Sequence, residues 1–120
     1  MKVLSLFDGI SCGMVALERA KIPVERYVAY EIDENAIKIS KKNYPQIEHC
    51  GDVFTADFTQ YKDFDLLIGG SPCTYWSIAK NHKERETTPY GRGGGNYLCN
   101  LLERCISKIQ NIFYTKTILQ

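Results

Sequence analysis

Cys73 is the residue of this chain best suited to nucleophilic chemistry. It closes the stretch Asp65-Leu66-Leu67-Ile68-Gly69-Gly70-Ser71-Pro72-Cys73. An apolar run this short, bounded by turn residues, predicts a buried strand. The thiol then sits on the loop past the strand's C-terminal end, where open α/β sheets bind ligands. Gly69 and Gly70 let backbone come close to a ligand, and Pro72 fixes φ and stiffens the approach to the thiol. A small buried cysteine in a turn would show the same local pattern. Residues upstream favour the positioned nucleophile.

Acidic and glycine-bearing loops fall at the ends of the preceding predicted strands. Gly9 and Gly13 open the first predicted helix, so backbone there can approach a ligand closely. Their spacing is GxxxG rather than GxGxxG, which disfavours a dinucleotide pyrophosphate site. Glu31 follows Gly9 by about the interval at which an acid reaches a ribose in such folds. A carboxylate there can accept from both hydroxyls of an unphosphorylated ribose. Asp52 ends the third predicted strand and can accept from an exocyclic amine. Each acid by itself also reads as a solvated loop residue or a helix cap. Together, on consecutive strand ends, they describe an adenosine site without phosphates, which S-adenosyl-L-methionine fits better than NAD does.

These loops need a frame, and the order of elements supplies one. Segment 2–7 (Lys-Val-Leu-Ser-Leu-Phe) is strand-like, and 14–20 has helical composition before Pro23. A second strand covers 26–30. Asp33 or Glu34 can cap a helix that runs through Asn43 and is ended by Pro45. A weak third strand covers 47–50, and 65–68 makes a fourth. Strands alternating with helices at this spacing require crossover connections, hence an α/β fold with a parallel sheet and helices on both faces. The prediction is an incomplete Rossmann-like half.

The chain's 120 residues support one domain with a modest core. A hydrophobic content of 44% and a charged content of 24% are ordinary for a globular protein. Five cysteines without CxxC spacing imply neither a disulfide framework nor a metal site, and suit a reducing cytoplasm. No signal peptide precedes the first strand, and no apolar run is long enough to cross a membrane. The net charge of +1 neither announces nor excludes a nucleic-acid partner.

Phe7-Asp8-Gly9-Ile10-Ser11-Cys12-Gly13, Glu31, Gly51-Asp52-Val53 and Gly69-Gly70-Ser71-Pro72-Cys73 resemble, in order and spacing, the DNA (cytosine-5)-methyltransferases. The first and last segments look most like the branch holding the vertebrate de novo enzymes and related phage methylases. The resemblance covers residues 1 to about 95 and implies a Rossmann-like S-adenosylmethionine-dependent methyltransferase. By position it implies that Phe7 packs on the adenine and that backbone at Asp8, Gly9 and Ile10 lines the methionine part. Glu31 holds the ribose, Ile32 flanks the adenine, and Asp52 with Val53 recognises its edge. Cys73, beside Pro72, is the nucleophile toward a cytosine flipped out of double-stranded DNA. Segment 80–95, polar and glycine-rich, is then a loop that closes over the base. Thr74 and Trp76 depart from the commoner Gln and Phe of the family.

The family's later parts are not found in this chain. There is no Glu-Asn-Val-type motif, no Gln-x-Arg-x-Arg pair and no target-recognition domain, so little catalysis is expected from the chain alone. Segment 96–120 reads as a helix with Leu98, Leu101, Leu102, Cys105 and Ile109 at helical spacing, then a strand. Shifting the reading frame lets the same stretch spell Leu-Phe-x-Gln-Phe and later Phe-Leu-Tyr-Glu-Asn, which are family-like. A frameshift near Gly93-Gly94-Gly95 is the resulting expectation for this tail. The leading expectation is thus the amino-terminal portion of a DNA cytosine-5 methyltransferase, degenerate or completed by a second subunit. A tRNA cytosine-5 methyltransferase fragment and a non-catalytic S-adenosylmethionine-binding module are the alternatives.

Overall fold

The computed structural model describes residues 1–70. Pro72, Cys73, the 80–95 loop and the 96–120 tail, with the expectations attached to them, lie outside the described residues.

The chain runs β1 (Lys2–Leu6), α1 (Cys12–Arg19), β2 (Arg26–Tyr30), α2 (Glu34–Asn43), β3 (Glu48–His49), two 3-10 turns (Val53–Thr55 and Phe58–Tyr61) and β4 (Leu66–Gly69). The four strands form one parallel sheet in the order β3-β2-β1-β4. β1 lies between neighbours on both sides, with Leu4 opposite Val28 and Leu67. Val3 and Leu4 point to opposite faces and are both fully buried. That is why the strand reads as a continuous apolar run rather than an alternating one.

The two faces carry separate cores. Val3, Tyr27 and Ala29 share one face with Leu17, Ile47 and the partly buried Met14 and Tyr44. Leu4, Leu6, Val28, Tyr30 and Leu67 form the other with Val53, Phe58, Tyr61 and Phe64. α1 presses on the first face at Gly13, where a Cβ would come within 2.7 Å of the Tyr27 hydroxyl and 3.0 Å of Ile68. α2 joins that face through Ser40, its buried residue. Asp33 caps α2, its Oδ1 accepting from the amides of Asn35 (2.8 Å) and Ala36 (3.3 Å).

Helices were expected on both faces, but among the described residues both α-helices lie on one. The reason is the direction of travel. The β1–β2 and β2–β3 crossovers step the same way across the sheet, and right-handed connections then place both helices on the same side. The β3-to-β4 link steps back past β1 and covers the opposite face. It does so with two 3-10 turns instead of an α-helix. Asp52 and Asp57 each cap a new turn, through the amides of Phe54 and Thr59 at 3.0 Å, which breaks a continuous helix into short pieces. Phe58, Tyr61 and Phe64 still reach the core, with the Tyr61 and Phe64 rings edge-to-face at 5.0 Å.

Candidate functional site

The sheet reverses its winding at β1, since the chain proceeds to β2 on one side and returns to β4 on the other. The crevice beyond the carboxyl ends of those strands is the ligand position of open α/β sheets. The loop from β1 into α1 occupies it, and its backbone is unusual. Phe7, Gly9 and Ser11 have φ of 56°, 62° and 69°. Left-handed backbone is ordinary for glycine and costly for phenylalanine and serine. At Gly9 nothing lies within 4 Å of a would-be Cβ, so the glycine serves conformation rather than space.

Polar contacts hold this loop in place. The Asp8 amide donates to the Tyr30 carbonyl at 3.1 Å, and the Ser11 amide to the Asp8 carbonyl at 3.2 Å. The Asp8 carboxylate turns inward. Its Oδ1 accepts from Ser5 Oγ at 2.6 Å and the Tyr27 hydroxyl at 2.7 Å, and its Oδ2 accepts from Ser11 Oγ. Burial and the adjacent Asp8 carboxylate push the Tyr27 phenol far above its ordinary value, so Tyr27 keeps its proton and acts as a donor. The expectation for Asp8 concerned its backbone, whose amide and carbonyl are both bonded within the protein, to Tyr30 and Ser11.

Glu31 links the first loop to the end of β2. Its Oε2 accepts from the Gly9 amide at 2.7 Å, while Oε1 accepts from the amides of Ile32 (2.9 Å) and Asp33 (3.0 Å). A carboxylate offers about four acceptor directions. Three are used, and the remaining one, on Oε2, suits a single hydroxyl donor. Two ribose hydroxyls would require one backbone amide to yield or to share.

A cleft of about 170 Å³ is lined by Phe7, Tyr30, Glu31, Ile32, Gly51 and Val53. Its rim leaves apolar surface open to solvent: Ile32 is 52% exposed, and Ile10 on the neighbouring loop 47%. Val53 is buried. Gly51 has φ of 77°, which turns the chain out of β3 toward the cleft. Asp52 lies between Gly51 and Val53 with Oδ1 committed to the Phe54 amide, leaving Oδ2 as its available acceptor.

The structure therefore brings Phe7, Glu31, Ile32 and Val53 to one cleft, with Gly9 tied to it through Glu31. Gly13 is not part of it. Its lack of a side chain serves helix–sheet contact with Tyr27 and Ile68. Of the lining residues, Tyr30 was missed in the sequence, although it directly precedes Glu31, and Gly51 was quoted within its motif without a role. The Tyr30 hydroxyl pairs with that of Tyr61 at 2.7 Å, and burial together with this contact raises its pKa. The residues fit an adenosine-type ligand: apolar walls, one directed carboxylate acceptor and, among the described residues, no basic side chain lining the cleft. Among the described residues no cluster of His, Cys, Asp and Glu could hold a metal ion, and no helix is long and apolar enough to cross a membrane.

Sheet order and a cleft at the switch point define a Rossmann-like α/β fragment. The crystal structure of the Schizosaccharomyces pombe Dnmt2 methyltransferase superposes with a TM-score of 0.62, covering 93% of this chain and 31% of that one at 22% identity. The family model for C-5 cytosine-specific DNA methylases matches residues 1–111, and the chain belongs to that family. The orphan methyltransferase M.SPRI of Bacillus phage SPR is 37% identical over 90 residues, 73% of this chain and 20% of that protein. The DNA (cytosine-5)-methyltransferase DRM2 of Arabidopsis thaliana is 36% identical over 86 residues, 61% of this chain and 14% of that protein. The chain thus spans a fifth or less of the length of these relatives. Family membership makes S-adenosyl-L-methionine the methyl donor.

Proposed function

We propose that this chain is the donor-binding portion of a DNA cytosine-5 methyltransferase and carries its nucleophile. The observation that supports this reading best is Glu31, fixed by backbone amides from two strand ends with one acceptor direction left beside an apolar cleft. In this reading Phe7 and Ile32 cover the adenine, Glu31 takes a ribose hydroxyl, and Val53 with the free oxygen of Asp52 meets the base edge. The backbone of Asp8, Gly9 and Ile10 faces the methionine part.

When bound, S-adenosyl-L-methionine supplies an electrophilic methyl group. Cys73, next to Pro72 in the sequence, supplies what cytosine lacks. Its thiolate adds to C6 of a base flipped from double-stranded DNA, and electron density moves to C5, which becomes the carbon nucleophile. Loss of the C5 proton after alkylation expels the thiolate and restores the aromatic ring. In this reading the segments that hold the base and read the DNA sequence lie outside the matched portion, which covers a fifth or less of these relatives' length.

Calorimetric titration of the chain with S-adenosylhomocysteine tests the donor site. Saturable binding is expected, weakened at least about tenfold by Glu31→Ala, in line with the roughly 1.5–3 kcal/mol of a hydrogen bond to a charged group. Absence of saturable binding to the wild-type chain refutes the reading.

A further inference from the structure

The strained loop at the donor cleft is tied to a buried hydrogen-bond chain that reaches the far edge of the sheet. Ser11 Oγ contacts both Asp8 Oδ2 and Ser40 Oγ, and Ser40 Oγ contacts His49 Nε2 at 3.2 Å. Ser11 and Ser40 are wholly buried. α2 therefore spends its buried position on a hydroxyl rather than an apolar side chain, and buried polar groups need partners.

Counting protons gives this chain a direction. A carboxylate only accepts, so the single hydroxyl proton of Ser11 is committed to Asp8. Between the two serines, Ser40 must then donate to Ser11. With its own proton so used, Ser40 can only accept from His49, which places a proton on Nε2. His49 Nδ1 is buried and has no hydrogen-bond partner among the described residues, as suits a bare lone pair more than an unsatisfied N–H. The order is His49 Nε2–H to Ser40, Ser40 to Ser11, and Ser11 to Asp8.

We infer that Ser40 and His49 are positioning residues for the donor-binding loop, acting through this one-way chain to hold Asp8 and the left-handed backbone at Ser11. The inference rests on the donor-site reading. Neither residue touches the cleft, and each lies on an element other than the loop it supports. Asp8 already has Ser5 and Tyr27 on its other oxygen. Of the side-chain bonds to Asp8, the Ser11 branch is the one at the point where the loop turns into α1, since Ser11 is the N-cap residue of α1 and its side chain makes no bond to the helix amides.

The test needs two readouts on the 120-residue chain. Nitrogen chemical shifts should show His49 protonated at Nε2 and bare at Nδ1 at neutral pH, and an Nδ1–H tautomer overturns the inference. Amide exchange at Gly9 and Ser11 should quicken about tenfold in His49→Leu and Ser40→Ala, while amides of Leu4 and Val28 in the sheet centre hold their rates. His49→Gln, whose amide can donate from the Nε2 position, should restore the slow loop. Equal behaviour of His49→Leu and His49→Gln, or loop exchange indifferent to both, overturns the inference. Titration with S-adenosylhomocysteine separates the two proposals. If the wild-type chain binds and His49→Leu binds as tightly, the positioning role fails alone. If the wild-type chain does not bind, the donor-site reading fails and this inference with it.

Discussion

At the scale of single residues, Asp8 organises the site without facing it. Three hydroxyls donate to its two oxygens, so Asp8→Asn has a specific expected consequence. The new amide group must donate, Ser11 must turn to accept from it, and the serine protons reverse. His49 should then switch to the Nδ1–H tautomer, visible in its nitrogen shifts, with a stability loss of about 1–3 kcal/mol. Gly9, on the same loop as Asp8, and Gly13, in the first turn of α1, should differ from each other. Gly9→Ala meets open space but a φ of 62°, and should cost about 1–2 kcal/mol. Gly13→Ala drives a methyl to 2.7 Å from the Tyr27 hydroxyl and so disturbs Asp8 as well. Chemical denaturation should show it as the more damaging of the two, by about 1–3 kcal/mol of overpacking.

At the scale of elements, α2 and β3 are joined through His49, and pH should reveal it. Burial is the main cause that lowers the His49 pKa from its ordinary 6.5, helped by Lys41 and opposed by Asp8. The unfolded chain therefore binds the proton more readily than the folded one. Stability from this residue is complete above about 6.5 and falls as the pH drops through that value toward the depressed one. Urea midpoints measured between neutral and mildly acid pH should decline, and His49→Gln should flatten that part of the profile. The start of α2 depends on Asp33 accepting from two amides. Asp33→Ala should cost about 1 kcal/mol, read as a lower melting temperature. The exposed Arg26–Glu48 pair on the same sheet edge, 45% and 48% exposed, should contribute little.

At the scale of the whole molecule, the described sheet has a cleft at its switch point, while the chain spans a fifth or less of its relatives' length. The 120-residue chain alone should transfer no methyl group to double-stranded DNA. Supplying the remaining portion of a phage relative in trans should restore transfer that Cys73→Ala abolishes. Transfer that survives Cys73→Ala would remove the nucleophile from the mechanism, and transfer to tRNA instead of DNA would move the substrate.

Much of this was legible before any coordinates, and the particular residues show why. β2 at Arg26–Tyr30 and the end of α2 at Asn43 follow from apolar runs bounded by turn residues and from Pro45, which act locally. The nearness of Gly9 and Glu31 was legible because strand ends in a parallel sheet converge, so spacing along the chain becomes proximity in space, whereas Val53 was named only through the family resemblance. The placement of both α-helices on one face was not legible, because it depends on the direction in which each crossover travels. Capping by Asp52 was one of the readings the sequence left open, while that by Asp57 was not foreseen. The inward turn of Asp8, the use of Gly13 for helix–sheet contact and the buried run from Ser11 through Ser40 to His49 came from tertiary structure alone. Sequence determines periodicity and local stops, since those act between neighbours. Which hydroxyl meets which carboxylate is decided only when α2 and β3 pack against the loop, because each polar group that loses water must find its partner on another element.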